Sequence, residues 1–197
     1  PSVSLASEAS SNTNATQAKA ADVITVNFSA SDIVDSVTIG GHSATSIVNH
    51  LDGTYTATYT VAAGNNGNSD IAITTHDLAG NITNYSATGN VTIDTAAPTM
   101  TVVATGIDDD TGDSATDHIT QATSFNLQGT LTSALAAGEK VQISSDGSTW
   151  SNAVVSGTSW TYALSGQTDS TTTYQVRVID AAGNIDSHTA SLTVQVD

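Results

Sequence analysis

One short acidic motif occurs twice in this sequence, and its residue types suit the binding of a divalent cation. The motif reads Asp-x-Ala-Gly-Asn, at Asp77 to Asn81 and again 103 residues later at Asp180 to Asn184. Asp offers a carboxylate, Asn offers an amide oxygen, and Gly lets the backbone between them turn tightly. Calcium prefers such oxygen ligands. The same residues can also form an Asx turn that binds no ion.

An aspartate follows each copy of the motif at the same distance. Asp94 and Asp197 each lie 13 residues after the motif Asn, and each ends an alternating apolar run. Two copies of one domain in tandem explain this spacing. The sequence therefore predicts two domains, residues 1–94 and 95–197, of which the first is the divergent copy.

A loop in the second half is far more acidic than its counterpart in the first. It holds five carboxylates within ten residues: Asp108, Asp109, Asp110, Asp113 and Asp117. Charges this close repel one another unless a cation lies among them. The loop is not an EF-hand, because Ile119 stands where the bidentate Glu would be. We predict calcium ligands at Asp108, Asp109, Asp110 and Asp117, with Asp197 at the same end of the domain.

The overall charge narrows the function classes. The chain has 197 residues and a net charge of −16, with 3 Lys and Arg against 19 acidic residues. Such a chain repels phosphate backbones, so we predict no nucleic-acid partner. Seventeen of the 19 acids are Asp, the residue of turns and of short, stiff carboxylates. Solubility in a salty medium explains the net charge but not the clustering, so calcium is the predicted cofactor.

Other compositional features exclude further classes. The absence of Cys rules out disulfides and thiolate metal sites. No apolar run approaches the roughly 20 residues that cross a bilayer, so this segment is predicted to make no membrane contact. No signal segment opens the chain, which we therefore expect to be an internal part of a longer protein.

Catalysis is not predicted. The stretch from Gly112 to Thr116 fails the Gly-x-Ser-x-Gly nucleophile elbow at its last position. The five His show no His-x-x-x-His spacing for zinc. Acid pairs lie on turns rather than in an evident cleft, so a glycosidase pair is unsupported. The chain is predicted not to be an enzyme.

The elements that carry these residues are predicted to be strands. Thr54 to Val61 alternates cleanly and follows the hairpin turn Asp52-Gly53. About seven short strands per half, with a turn every ten residues or so, predict an all-β chain of two tandem immunoglobulin-like β-sandwiches. Trp150 and Trp160 are expected to pack in the core or at its rim rather than to form a sugar platform.

In such a sandwich the motif loop lies at the end where the domain begins. The loop containing Asp32 and Asp35, between the second and third strands, should lie at the same end. The linker should then deliver Asp94 to the end of the second domain that carries Asp180 and Asn184. We predict that these three residues share one calcium ion.

Four segments resemble a known family. They are Asp94–Pro98, Asp109–Thr120, Ser145–Trp150 and Val178–Asn184. They are similar to the bacterial Ig-like repeats of giant RTX-type adhesins, which type I secretion exports, and of related biofilm and ice-binding adhesins. The second half resembles these repeats along its whole length, whereas the first resembles a variant without the acidic loop. The resemblance implies β-sandwich extenders whose linkers stiffen with calcium.

The resulting interpretation is a stalk segment of a bacterial cell-surface adhesin. It would be extracellular and monomeric, with neighbouring Ig-like repeats of the same chain as partners. It would hold a terminal ligand-binding region away from the cell. One alternative is that the first domain is itself a glycan- or protein-binding module. Another is an accessory module of a secreted polysaccharide enzyme.

Overall fold

The chain folds into two compact units, Pro1–Ala96 and Ala97–Asp197. The boundary follows Ala96, whereas the sequence prediction placed it after Asp94. The structure is a computed structural model that describes residues 1–111 and 113–197. Gly112, which belongs to the acidic loop and to the Gly-Asp-Ser-Ala-Thr stretch, lies outside the described residues.

The first unit is built from strands in which β-branched and aromatic residues alternate with polar ones. In β7 the buried residues are Tyr55, Ala57 and Tyr59, with Thr between them facing outward. The strands are β1 (Val3–Ser10), β2 (Gln17–Ala18), β3 (Val23–Ala30), β4 (Ile33–Ile39), β5 (His42–Ser43), β6 (Ser46–Asn49), β7 (Thr54–Thr60), β8 (Gly67–Asn68), β9 (Ile71–His76), β10 (Ile82–Ala87) and β11 (Thr92–Ile93).

These strands form two four-stranded sheets and one small sheet. The large sheets have the orders β1-β3-β7-β6 and β10-β9-β4-β5, and the small one is β2-β11-β8. Ile24 and Phe28 of the first sheet belong to the same buried cluster as Ile39 and Ile73 of the second. The two sheets therefore pack face to face around one core, as in a β-sandwich.

The second unit repeats this plan with fewer short strands. Its strands are β12 (Val102–Ile107), β13 (Ile119–Thr120), β14 (Phe125–Leu131), β15 (Lys140–Ser144), β16 (Ser151–Asn152), β17 (Val154–Ser156), β18 (Ser159–Leu164), β19 (Ser170–Ile179) and β20 (Ala190–Val196). The sheet orders are β12-β14-β18-β17 and β13-β20-β19-β15-β16. Leu127 from the first sheet and Val176 from the second share one core.

The two tryptophans pack as the sequence predicts. Trp160 is 1% exposed in the core, and its Nε1 donates a hydrogen bond to the Val103 carbonyl at 3.1 Å. Trp150 lies at the rim, where the guanidinium carbon of Arg177 is 3.7 Å from its ring centroid. Such stacking covers the ring face with a cation rather than leaving it open.

The predicted all-β sandwich class is confirmed. Strands and turns account for the regular structure of residues 1–111 and 113–197, and no helix occurs among them. Within the same ranges, accordingly, no helix has the length and apolar character needed to span a membrane.

In each unit the chain leaves the sheet of its first strand and enters another sheet, which is the small sheet in the first unit and the second large sheet in the second unit. The short strand that follows then pairs in parallel with the last strand of the unit: β2 with β11, and β13 with β20. The remaining pairs within the large sheets are antiparallel. The first and last parts of each unit are thus hydrogen-bonded side by side.

Candidate calcium-binding loops

The first copy of the repeated motif forms a closed turn between β9 and β10. Oδ1 of Asp77 accepts hydrogen bonds from the backbone N–H groups of Ala79 and Asn81, both at 2.9 Å. Its Oδ2 accepts one from Nδ2 of Asn81 at 2.8 Å. Gly80 has a φ of +84°, a conformation in which a Cβ would be strained. The motif therefore forms an Asx turn, the conformation that needs no bound ion.

The second copy, between β19 and β20, repeats this geometry. Oδ1 of Asp180 accepts from the backbone N–H of Asn184, and Oδ2 from its Nδ2, both at 2.8 Å. Gly183 has a φ of +87°. The motif is thus one structural unit used twice.

The first copy of the turn keeps Asp77 ionised and fixed in orientation. The side-chain amide of Asn81, and then its backbone N–H, hold the pKa of Asp77 below the ordinary value of 3.8. A carboxylate has about four lone-pair sites, so the three hydrogen bonds to Asp77 leave about one site, on Oδ2, for a cation. The turn is compatible with an ion but does not require one, and the calcium roles of Asp77, Asn81, Asp180 and Asn184 stay predictions.

The predicted meeting of two loops at one end of the first sandwich is confirmed. Asp32, which follows β3, and Asp77, which follows β9, line the same groove. The prediction that Asp35 lies in the same loop is wrong, because Asp35 belongs to β4, at the irregularity between Val34 and Ser36. The Oδ1 of Asp35 lies 2.6 Å from Nδ1 of His76, the last residue of β9.

The two exit aspartates occupy equivalent positions. The N–H of Asp94 donates to the Ala18 carbonyl of β2 at 2.8 Å, and the N–H of Asp197 donates to the Thr120 carbonyl of β13 at 3.1 Å. Asp94 belongs to the first unit, whereas Asp180 and Asn184 belong to the second. That these three residues share an ion stays a prediction.

The acidic loop connects β12 and β13, and its first carboxylate is held by the neighbouring strand. Oδ1 of Asp108 accepts from the backbone N–H of Asn126 at 2.7 Å, and Oδ2 from its Nδ2 at 2.6 Å. These bonds, the backbone one first, hold the pKa of Asp108 below its ordinary value. Asp108 is therefore an anchored, ionised carboxylate at the start of the loop.

Asp110 is the unusual member of this loop. Its Oδ2 accepts a hydrogen bond from the backbone N–H of His118 at 3.1 Å. Its Oδ1 is buried and has no hydrogen-bond partner in the described part of the chain. A buried carboxylate oxygen without a donor is costly, because the lost hydration is not replaced. This oxygen is one that a bound cation would satisfy.

The base of the loop is fixed beside the exit of the unit. Thr111 donates from its backbone N–H to the Ile119 carbonyl at 3.1 Å, and its Oγ1 lies 3.4 Å from that of Thr120. Thr120 is the residue that binds the N–H of Asp197. The structure thus brings the end of the acidic loop and Asp197 to the same strand, as the sequence predicts.

The remaining acids of this loop are exposed, and the loop does not present a finished metal centre. Asp109, Asp113 and Asp117 are exposed, and Oδ1 of Asp117 accepts the N–H of Ile119 at 3.2 Å. Among the described residues, no three Asp, Glu or His side chains converge into a group that could hold a metal. The donor set consists of oxygens, which suits calcium chemically, and the orphaned oxygen of Asp110 is consistent with an ion.

The corresponding loop of the first unit closes without such acids. Oδ1 of Asn12 accepts the backbone N–H of Asn14 at 3.0 Å, and its Nδ2 donates to Oδ2 of Asp22 at 2.7 Å. Amide side chains here form the bonds that organise the loop. The first loop is therefore held by amide side chains, whereas the acidic loop of the second unit is held by carboxylates.

Sequence reasoning missed one buried carboxylate close to the second motif. Asp186 is 2% exposed, and its Oδ1 accepts the backbone N–H of His188 at 2.8 Å and lies 3.0 Å from Nδ1 of the same residue. Its Oδ2 is buried without a hydrogen-bond partner among the described residues. A comparison of the two copies could have revealed it, because the position equivalent to Asp186, 103 residues earlier, is Thr83, so this acid is specific to the second unit.

The turn that follows β15 lowers the pKa of a carboxylate in the folded state. Oδ1 of Asp146 accepts the backbone N–H groups of Thr149 at 2.7 Å and Ser148 at 2.8 Å, and these bonds lower the pKa of Asp146 strongly. A lowered pKa in the folded state stabilises the fold above the unfolded value of about 3.8, and this contribution is lost as the pH falls through the folded value.

We therefore expect Asp146→Asn to lower the free energy of unfolding at pH 7 and to flatten its decline below pH 4. Both tryptophans belong to the second unit, so denaturant titrations followed by tryptophan fluorescence measure this directly. Asp52→Asn in the first unit is the control, since it should leave the tryptophan transition unchanged. Equal pH profiles for the wild type and Asp146→Asn would contradict the assignment.

Solved structures with a similar fold include bacterial adhesins. One is a Ca²⁺-stabilised adhesin with which an Antarctic bacterium reaches out and binds ice; it is 25% identical, over 100% of this chain and 49% of that chain, with a TM-score of 0.49. A 1.5-MDa bacterial ice-binding adhesin is 16% identical over 99% of this chain and 64% of that chain, with a TM-score of 0.42. The present chain thus spans about half the length of the first adhesin structure.

A glycan-binding protein from Bacteroides ovatus, solved with a mixed-linkage heptasaccharide, is 18% identical over 92% of this chain and 43% of that chain, with a TM-score of 0.26. No curated protein sequence matches the chain. The sequence model of the bacterial Ig-like domain matches residues 97–197, just over half of the chain and the whole of the second unit. The chain therefore belongs to the bacterial Ig-like domain family.

Proposed function

We propose that this chain is a calcium-rigidified extender segment of a large bacterial cell-surface adhesin, which spaces a terminal ligand-binding region from the cell. Its family membership and its two sandwich units in tandem support a stalk. Its work is mechanical rather than catalytic. Neighbouring Ig-like repeats of the same chain are its partners, and the extracellular bacterial surface is its location.

The observation that carries the calcium part of the proposal is the buried, unpartnered Oδ1 of Asp110. It lies in a loop where five carboxylates occur within ten residues of a chain with a net charge of −16. A divalent cation offsets this repulsion and replaces the missing donor. Asp110 would be the first ligand, and Asp108, Asp117, Asp109 and Asp197 would join it only if they move towards the ion, since these side chains do not converge among the described residues.

The joint between the units is the second proposed location. Asp94, carried by the linker, would bind an ion together with Asp180 and Asn184 of the next unit. Asp77 and Asn81 would serve in the same way towards a repeat before the first unit. An ion held by groups from two units would favour one relative orientation, since it binds that state better than others.

The calcium affinity expected of such sites would let the chain stay flexible during export and become rigid outside the cell. Extracellular calcium modules have dissociation constants of roughly 10⁻⁴–10⁻³ M. Sites of that strength would be empty at cytosolic calcium and would fill in a millimolar-calcium medium outside the cell. The chain would then be compliant during secretion and stiff afterwards, as a biofilm or ice-binding adhesin requires.

Isothermal calorimetry on charge-matched variants tests the assignment. Asp110→Asn should bind one calcium ion fewer, or bind calcium at least about tenfold more weakly, because the amide removes a charged ligand. Asp180→Ala should weaken a different site and leave the first unit folded. Asp52→Asn, whose carboxylate only closes a turn with Thr54, is the control and should bind like the wild type. Identical isotherms for all four proteins would refute the calcium assignment.

A further inference from the structure

A groove of about 750 Å³ lies at one end of the first unit, and exposed apolar side chains line it. Leu78 is 98% exposed, Leu51 90%, Ile33 47% and Ile47 41%. Single exposed apolar residues are ordinary on protein surfaces, but four around one groove mark an interaction surface. We refer to these four residues and the space between them as the β6 groove.

The conformation of Leu51 is unfavourable for the isolated unit. Its φ is +65°, in the left-handed region that Gly and Asn occupy more readily. The turn imposes this φ, because Leu51 donates from its N–H to Oδ1 of Asn49 at 2.8 Å while His50 donates to the Thr54 carbonyl at 3.0 Å. A strained and exposed leucine adds nothing to the core, so its side chain is best explained by contact with another molecule.

One side of the groove is an open sheet edge. In the described part of the chain, β6 pairs only with β7, and all four of its residues are exposed. Ser46, Ile47, Val48 and Asn49 include no charge and no proline, the features that usually block pairing at an edge. Ile47 and Asn49 line the groove whereas Val48 does not, as the two-residue period of a strand requires.

The matching edge of the second unit is less suited to pairing. It is β17, the strand that occupies the position of β6 beside β18, and it is only three residues long. Its exposed apolar residue is Val154, at 72%. This edge supplies an internal control of similar chemistry.

The charges around the groove favour an occupant of positive charge. Asp32 and Asp77 line it, together with His76, which is paired with Asp35. A basic occupant would be attracted by these carboxylates, whereas a second copy of this chain would bring a further net charge of −16.

Among the described residues that line the groove, none offers an open aromatic face on which a sugar ring could stack. Its aromatic ring, Tyr55, is only 9% exposed and stacks on Phe28 with ring centroids 5.3 Å apart. The hydroxyl of Tyr55 is used by Asn49 at 3.2 Å and by the Asp32 carbonyl at 3.4 Å. A peptide therefore suits the groove better than a glycan.

We propose that the β6 groove binds an extended, basic segment of another protein as an added strand on β6. The backbone of that segment pairs with β6, and its alternate apolar side chains contact Ile47, Leu51 and Ile33. A Lys or Arg that lies on the same face of the segment, next to the apolar residues, faces Asp32 and Asp77. The first unit is then a peptide-binding module as well as a spacer.

The test uses the full chain and a labelled eight-residue peptide, Lys-Val-Thr-Val-Lys-Val-Thr-Lys, in fluorescence anisotropy. The double variant Ile47→Thr with Leu51→Asn should bind at least tenfold more weakly, while the first unit melts no lower than in the wild type because Asn relieves the strained φ. Val154→Thr should bind like the wild type. Amide shifts in NMR should change at Ser46–Asn49 when the peptide is added.

Two altered peptides separate strand pairing from simple charge attraction. Replacing each Lys by Glu should abolish binding, and replacing the central Val by Pro should do so as well, because Pro cannot donate a backbone hydrogen bond. The proposal is overturned if the basic peptide fails to bind, if the double variant binds it equally, or if shift changes spread over the acidic surface. It is also overturned if a fused copy of residues 97–197 placed before Pro1 covers Ser46–Asn49, since the groove would then belong to a joint between repeats.

Discussion

Adding Ca²⁺ to the calcium-free chain should raise its melting temperature and increase its maximum dimension in solution, and a chelator should reverse both changes. An ion that binds only the folded state stabilises it by about 2.7 kcal/mol when its concentration is a hundredfold above the dissociation constant. A unit of about 100 residues gains roughly 4–8 °C per kcal/mol. The expected rise is therefore on the order of 10 °C or more for each unit that binds an ion.

The change in dimension follows from the same linkage. In the proposed mechanism, carboxylates from two units would repel each other without an ion, whereas an ion coordinated by both would favour one arrangement by its difference in affinity. Calorimetric melting and small-angle X-ray scattering measure the two effects. Sodium chloride at equal ionic strength is the control, because it screens the net charge of −16 without coordinating it. If sodium acts as calcium does, or if neither quantity changes, the stalk mechanism is wrong.

Gly129→Ala should unfold the second unit or destabilise it by about 3 kcal/mol or more, at the upper end of what overpacking costs. A Cβ on Gly129 would lie 2.0 Å from the Val103 carbonyl oxygen and 2.5 Å from two ring carbons of Trp160. Val103 belongs to the adjacent strand β12, and Trp160 is 1% exposed. If either Val103 or Trp160 moves away from the added Cβ, the hydrogen bond between them breaks. The clash therefore cannot be relieved without destabilising the unit.

Tryptophan fluorescence isolates this effect, because both tryptophans lie in the second unit. The matched control is Gly89→Ala in the first unit, where a Cβ would lie 2.3 Å from the Ser69 carbonyl oxygen. That variant should lower a transition seen by circular dichroism and leave the tryptophan midpoint unchanged. A wild-type tryptophan midpoint for Gly129→Ala would show that β12 and β14 pack less closely than described.

Local patterns were sufficient to predict the strands and the turns. Alternation of Thr with Tyr and Ala predicts β7, and Asp52-Gly53 predicts the turn before it, where Gly53 has a φ of +87°. Repetition at 103 residues predicts that the two motif loops are alike, and their hydrogen bonds agree to within about 0.1 Å. These features depend on residues that are close in sequence.

Features that depend on distant contacts were not predictable in this way. Trp160 lies over Gly129 because of the register between β14 and β18, which the sequence pattern does not specify. The burial of Asp186, and of one oxygen of Asp110, depends on how the loops fold back onto the sheets. Leu51 comes two residues after Asn49, the last residue of β6, so a longer strand could include it. Instead its backbone N–H donates to the side chain of Asn49, and Leu51 takes a left-handed conformation in a turn.

The parallel pairing of β2 with β11 and of β13 with β20 determines how each unit responds to tension. Tension along the chain pulls the first strand of each pair towards the N-terminus and the second strand towards the C-terminus. Because the strands run in the same direction, such a pull slides one along the other and loads all of their hydrogen bonds at once, including those from Asp94 to Ala18 and from Asp197 to Thr120. Antiparallel terminal strands would instead separate one bond at a time. The parallel pairing is thus a shear clamp between the first and last parts of each unit, and it would resist tension if the chain is the proposed stalk.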